Sequence, residues 1–263
     1  MSHTSENRKK ININADVGES FGKYAIGNDA ELIPLIESAS IACGMHAGDP
    51  CTMARTVRIA LENKKSIGAH PGFDDRWGFG RRQIHMRPDD LELFVAYQIG
   101  ALQAIASIQG AKVSHVKPHG ALNNMAHDNG DYAMAIGRAI KAVDPDLVYV
   151  ANVGSAMNEA GERLGIRVAK ESYIDRSYGD DGKMLSRDRD DAVIKDPSQA
   201  IDHVLRIVED GEITSISGKK IPVSVETFCV HGDEPTAVDV TSAVRGALIK
   251  ADYDIVPIPQ LDH

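Results

Sequence analysis

Four stretches of this sequence end alike: Met45-His46-Ala47-Gly48-Asp49, Ala69-His70-Pro71-Gly72, Pro118-His119-Gly120 and Val230-His231-Gly232-Asp233. Each sets an imidazole, which titrates near neutral pH and ligates metals, beside a glycine, which lets backbone come close to a ligand. Asp16 and Glu19 close another apolar run, and Lys117 stands two residues before His119. An acid, several imidazoles and an ammonium can move protons. Carboxylate with imidazole, as in Asp16 with His46 and His70, equally has the composition of a divalent-metal site for zinc, manganese or iron. Spacing does not choose between the two. Residues 68–82 form a glycine-rich stretch that holds the one tryptophan, Trp77, with Asp74, Asp75, Arg76, Arg81 and Arg82. Arginine forks grip carboxylate or phosphate, so Arg81 and Arg82 are candidate anion holders.

Plainer roles compete at several positions. Asp49 and Asp233 stand where helices begin and are equally suited to N-caps. Glu171 and Asp175 can be interior ion pairs. His3, His85, His127, His203 and His263 are assigned no role. The sequence has no GxxxxGK[ST] phosphate loop, no GxGxxG after a strand and no GxSxG elbow.

Elements that would position these groups alternate along the chain. Strands are expected over 11–17, 40–46, 66–70, 113–119, 147–153, 167–175 and 223–230. Helices are expected over 29–38, from Asp49-Pro50 through Met53, Val57 and Leu61, over 88–110, from 120 to about 143, over 155–164, 197–208 and 233–250, with a hairpin over 212–222. Residues 178–193 read as a loop. Strand faces decide the architecture. Asn12, Asn14 and Asp16 share one face of the first strand, His115, Lys117 and His119 one face of the fourth, and Glu171, Tyr173 and Asp175 one face of the sixth. Strands buried in an open parallel sheet read as continuous apolar runs. These rows fit a barrel with a polar interior, a TIM-like (β/α)7 or (β/α)8 barrel, whose strand C-termini would gather the histidines on one rim. The expected organisation is one barrel domain over 11–258 with tails at 1–10 and 259–263.

Composition sets outer bounds. In 263 residues, 43% are hydrophobic and 25% charged, as in ordinary globular chains. The net charge of −9 argues against non-specific nucleic-acid binding. No signal-peptide or membrane-spanning run is expected. Cys43, Cys51 and Cys229 lack CxxC spacing and are odd in number, which fits small buried side chains in a reduced cytoplasm.

Several motifs together resemble one family. Asn14-Ala15-Asp16-Val17-Gly18-Glu19, Ala42-Cys43-Gly44-Met45-His46-Ala47-Gly48-Asp49-Pro50, Gly78-Phe79-Gly80-Arg81-Arg82, Val116-Lys117-Pro118-His119-Gly120-Ala121-Leu122 and Cys229-Val230-His231-Gly232-Asp233 are similar to the LamB/YcsF family, the A subunits of prokaryotic 5-oxoprolinase. Glu171 through Tyr178 matches the family's acidic Asp-Arg-x-Tyr segment, whereas Met45 and Asn123 stand where the family usually has an aromatic. The resemblance runs from about Ile11 to Ile255. It implies a seven-stranded barrel related to the glycoside hydrolase/deacetylase fold. It also implies ATP-dependent opening of the 5-oxoproline (pyroglutamate) lactam to L-glutamate, with ATP and Mg2+ as cosubstrate and separate B and C subunits as partners. Under that expectation Asp16, His46, His70, Lys117, His119 and His231 carry the chemistry. Asn14, Glu19, Asp49, Arg81, Arg82, Glu171, Asp175 and Asp233 hold substrate or phosphate. Alternatives are a metal-dependent amidase or deacetylase without ATP and a non-catalytic scaffold; a homo-oligomer is compatible with each.

Overall fold

Along strand β1 (Lys9–Val17) polar Asn12, Asn14 and Asp16 alternate with apolar Ile11, Ile13, Ala15 and Val17, and every one of the seven is buried. Both faces of β1 are therefore covered, one by polar groups and the other by apolar ones. This computed structural model describes residues 8–262. Residues 1–7 of the expected tail, and positions 3 and 263, lie outside the described residues. Lys9 and Lys10 already belong to β1.

The further elements are helix α1 (Asp29–Leu32), β2 (Ser38–Ala42), α2 (Pro50–Glu62), β3 (Ser66–His70), α3 (Pro88–Ile108), β4 (Val113–Val116), α4 (Gly120–Asp128), α5 (Gly130–Val143), β5 (Val148–Asn152), α6 (Ala156–Leu164), β6 (Val168–Tyr173), α7 (Pro197–Asp210), β7 (Glu212–Thr214), β8 (Lys220–Pro222), β9 (Thr227–His231), α8 (Ala237–Lys250) and β10 (Tyr253–Ile255). Among the described residues, β1 to β6 and β9 form seven parallel staves. β9 pairs with both β6 and β1, which closes the barrel. β7 and β8 make the expected hairpin.

Directional bonds knit the barrel interior. Asn12 Nδ2 donates to Ser38 Oγ at 2.9 Å, Asn14 Nδ2 to Glu171 Oε1 and Thr227 Oγ1 at 2.9 Å each, and Thr227 Oγ1 to Asn12 Oδ1 at 2.7 Å. Buried amides and hydroxyls left unpaired would each cost about 1–3 kcal/mol; here they satisfy one another. The apolar faces of the staves turn outward to the helices in one continuous core. β5 departs from this pattern because its inner residues Val148 and Val150 pack on Ile258 and Leu261, which plug the barrel's foot. Asn12 Nδ2 and Ser38 Oγ tie that plug through Val256 O (2.7 Å) and Ile258 N (3.0 Å).

Several boundaries differ from expectation. The first helix is cut to α1 and a 3-10 turn, Ile33–Leu35, by Pro34, a residue that cannot continue a hydrogen-bonded helix interior. β2 ends at Ala42, since Gly44 turns at φ 90. The helix expected over 120–143 breaks at Asn129, whose side chain accepts from Asp131 N and Tyr132 N and caps α5. β9 begins at Thr227, later than expected, and β10 is an element that the sequence pattern does not announce. It extends the sheet beside the start of β1. Helix α3 is long and apolar enough to cross a membrane, yet Leu91, Val95, Ile99, Leu102 and Ala106 along it are buried in the barrel's core.

Candidate active site

The rim formed by the strand C-termini opens into a cavity of about 530 Å³. Asp16, His70, Lys117, His119, Glu171 and His231 line it. At its floor Asp16 Oδ1 receives Lys117 Nζ at 2.7 Å, while Oδ2 lies 3.3 Å from His70 Nε2. Lys117 Nζ also reaches Asn14 Oδ1 and Glu171 Oε1 at 3.2 Å each and Cys229 Sγ at 2.6 Å. Burial opposes ionisation of Asp16, but the charges of His70 and Lys117 hold its carboxyl well below the usual carboxylate range. Burial likewise opposes the Lys117 ammonium, and Asp16, Cys229 and Glu171 raise it well above the ordinary lysine value. Asp16 is thus a buried, ionised acceptor and Lys117 a fixed cation, not a base.

Beside this pair lies a layer of imidazoles. His46 and His119 stack at 3.7 Å with an interplanar angle of 3°, and His70 meets both edge-on. Glu19 Oε1 is 3.3 Å from His46 Nε2 and 3.6 Å from His119 Nδ1. Burial, reinforced by the charge of neighbouring imidazoles, drives His46 and His119 well below the ordinary histidine value. Burial and the charge of Asp16 push Glu19 well up. The glycine-rich loop covers this layer, and its glycines are required by contact. A Cβ on Gly72 would lie 2.5 Å from His46 Nδ1, and one on Gly80 would lie 2.6 Å from His46 Cβ.

Opposite stands a carboxylate–imidazole pair. His231 Nδ1 is 2.9 Å from Asp175 Oδ2, and the ring stacks on Tyr173 with centroids 5.4 Å apart. Burial would raise the Asp175 carboxyl, yet His231 beside it keeps it below the usual range. With Nδ1 held, Nε2 is the nitrogen left for a substrate.

The other expected residues are placed as follows. Arg81 Nη2 bonds Asp233 Oδ2 at 2.7 Å at the cavity wall. Arg82 turns away and forks onto Asp75, whose carboxyl it pulls down to about 2. Asp49 caps α2 through Cys51 N (2.8 Å) and Thr52 N (3.0 Å). Ligand atoms of Glu19, His46, His70 and His119 all lie within 4.8 Å of one another, as do those of Asp16, Cys229 and His231, so this buried floor can hold a metal. The trio expected for a metal is divided between these two groups. Tyr173, Cys229, Arg176 and Arg187 join the site without having been expected there. Tyr173 shares a strand face with Glu171 and Asp175, and Cys229 with His231, so alternation held that signal; Arg176 lies in the Asp-Arg-x-Tyr segment that the family resemblance marks, whereas Arg187 rides on a loop and had no signal. Cys43 and Cys229 are buried as expected, whereas Cys51 is exposed.

The LamB/YcsF family profile matches residues 11–263. The chain belongs to the LamB/YcsF family. A relative from Nitrobacter hamburgensis, named as the A subunit of 5-oxoprolinase, is 50% identical over 248 residues, covering 94% of this chain and 97% of its own. The crystal structure of a lactam utilization protein from Thermus thermophilus superposes with a TM-score of 0.89 at 39% identity, over 95% of this chain and all of that one. The catalytic domain of a peptidoglycan N-acetylglucosamine deacetylase from Eubacterium rectale shares the fold at 10% identity, with a TM-score of 0.51 over 96% of this chain and 90% of that one. The seven-stranded barrel that the family resemblance implies is the one observed.

Proposed function

We propose that this LamB/YcsF chain opens the lactam of 5-oxoproline to L-glutamate as the A subunit of a cytoplasmic, multi-subunit 5-oxoprolinase, in an ATP-coupled reaction shared with B and C subunits. Relatives named as the A subunit of 5-oxoprolinase, 42–50% identical over nearly the whole chain, support the substrate. The observation that carries the chemistry is Asp16, ionised at the cavity floor between Lys117 and His70, with the Asp175–His231 pair facing the same space.

A five-membered lactam is a poor electrophile, and moving the terminal phosphoryl group of ATP onto its oxygen makes the ring carbon easier to attack. The sequence has no phosphate loop, so we assign delivery of ATP and its Mg2+ to the partner subunits. Arg81, anchored by Asp233, offers its remaining N–H donors to the substrate carboxylate or the phosphate. Asp16 takes a proton from the water whose oxygen bonds to the lactam carbon, a contribution typically worth about 10²–10⁴-fold. The carbon–nitrogen bond then breaks, His231, oriented by Asp175, protonates the departing amine, and a second water releases phosphate from the acyl phosphate to leave L-glutamate. Lys117 offsets negative charge that builds on the phosphorylated oxygen.

In the reconstituted complex Asp16→Ala abolishes ATP-dependent 5-oxoproline turnover, whereas Asp191→Ala, which removes an exposed carboxylate paired with Arg189, leaves it intact. Equal activity in both variants refutes the assignment. Turnover by the chain alone without ATP, abolished by EDTA, would favour the metal-dependent amidase reading instead.

A further inference from the structure

Two backbone carbonyls decide where the protons sit in the imidazole layer. His70 Nδ1 lies 2.7 Å from Lys117 O, and His119 Nε2 lies 2.8 Å from Phe79 O. A carbonyl only accepts, so each of these nitrogens carries the hydrogen. A neutral imidazole has one N–H. With both rings neutral, as metal ligation requires, the lone pairs lie on His70 Nε2 and His119 Nδ1, which are 2.9 Å apart, and His70 Nε2 also faces Asp16 Oδ2 at 3.3 Å. Glu19 Oε1 approaches the same space, 3.3 Å from His46 Nε2 and 3.6 Å from His119 Nδ1. His46 is buried there as well, and among the described residues its Nδ1 has no hydrogen-bond partner. Acceptors facing one another repel unless something positive lies between them. A proton between His70 and His119 and another between Glu19 and His46 satisfy these contacts, and one divalent cation held by all four groups would replace both.

We propose that Glu19, His46, His70 and His119 form a binding site for a single divalent transition-metal cation. Three imidazoles with one carboxylate suit zinc, cobalt, nickel or ferrous iron, whereas magnesium and calcium prefer all-oxygen shells. Asp16 is left outside the set, with Oδ1 on Lys117 Nζ at 2.7 Å and Oδ2 at 3.3 Å from His70 Nε2. The protein's outer shell is built to match. Ligating histidines usually donate their second nitrogen to a carbonyl or carboxylate, which fixes ring and tautomer, and Lys117 O and Phe79 O do this here. Phe79 adopts φ 54, a left-handed conformation that costs a non-glycine residue free energy; that turn carries the carbonyl held by His119. Gly72 and Gly80 admit the loop against the rings, where a Cβ would collide with His46. Once bound, the ion would supply a Lewis acid toward a carbonyl oxygen at the cavity floor.

The site stands independently of the lactam reading, because its test needs no substrate. The purified chain is stripped with a chelator, titrated calorimetrically with Zn2+ and with Co2+, and assayed for metal content by mass spectrometry after desalting. The expected result is about one ion per chain, with visible Co2+ absorption bands showing nitrogen ligation. Glu19→Gln and His119→Ala should each weaken binding roughly tenfold or more, while Asp16→Asn retains the ion and the Co2+ spectrum. Far-UV circular dichroism of the metal-free variants checks their folding. If wild-type protein binds no stoichiometric ion, the proposal falls regardless of how the variants fold. It falls equally if both ligand variants fold and bind as wild type does.

Discussion

Replacing Lys117 with methionine keeps all but the terminal atom of the side chain's length and deletes one buried charge. At 2.7 Å the attraction between Lys117 and Asp16 is roughly 6 kcal/mol at an effective dielectric of about 20. The desolvation of both ions, several kcal/mol each, offsets much of that. In Lys117→Met that compensation fails, since Asp16 and Glu171 remain buried without their ammonium and Asp16 keeps only the imidazoles of His70 and, farther off, His231. Removing one partner of a buried pair costs about 3–5 kcal/mol, and that is the expected loss in urea unfolding at pH 7.5. The pH dependence carries the sharper test. In the wild type the Asp16 pKa is depressed, so its contribution is present above the unfolded carboxylate value and lost as pH falls through the lower folded value. In Lys117→Met burial acts without the ammonium and raises that pKa. The variant then regains stability on acidification, by up to about 1.4 kcal/mol per pH unit. Adding Asp16→Asn should restore most of the lost stability at pH 7.5. A penalty below about 1 kcal/mol, or one that does not change between pH 7.5 and 5, would refute this account of the cavity floor.

Two further outcomes follow from groups outside the cavity floor. Burial, then the charges of Lys117 and His70, drives His115 down to about 3. The unfolded chain therefore takes up this proton near pH 6.5 and the fold resists it until about 3, so stability declines on acidification across that window by up to about 1.4 kcal/mol per pH unit. His115→Leu should flatten the slope in pH-resolved urea titrations; an unchanged slope counts against it. Asp49→Ala removes the cap of α2 and should cost about 1–2 kcal/mol in the same assay, with Asp49→Asn recovering most of it; an Ala variant as stable as wild type would show that the cap does not matter.

Strand alternation made the site legible to the extent that side chains two apart share a face. It sorted Asn14, Asp16, His115, Lys117 and Glu171 to the interior and put His46, His70, His119 and His231 at strand ends, and the structure gathers these ends on one rim. What escaped lay in the backbone and the loops. The carbonyls of Phe79 and Lys117 that set the histidine tautomers leave no trace in residue identity. Arg81 and Arg82 read as a pair, yet they turn to Asp233 and Asp75 respectively, because neighbours in a turning loop need not point the same way. Asp128-Asn129-Gly130 did carry a turn signal, and the apolar periodicity on either side outweighed it. The foot plug was invisible because Val148 and Val150 read as core wherever they sit.

The seam of the barrel joins the first stave to the last. β1 pairs with β9, setting Asn12 opposite Thr227 and Asp16 opposite His231. A chain leaving the ribosome must therefore expose one edge of β1 until the whole intervening barrel has emerged, a separation of the kind that slows folding and leaves open edges vulnerable to aggregation. Asp16 and His231 meet only when that edge is sealed. Recovery of turnover during refolding would then time closure of the seam itself.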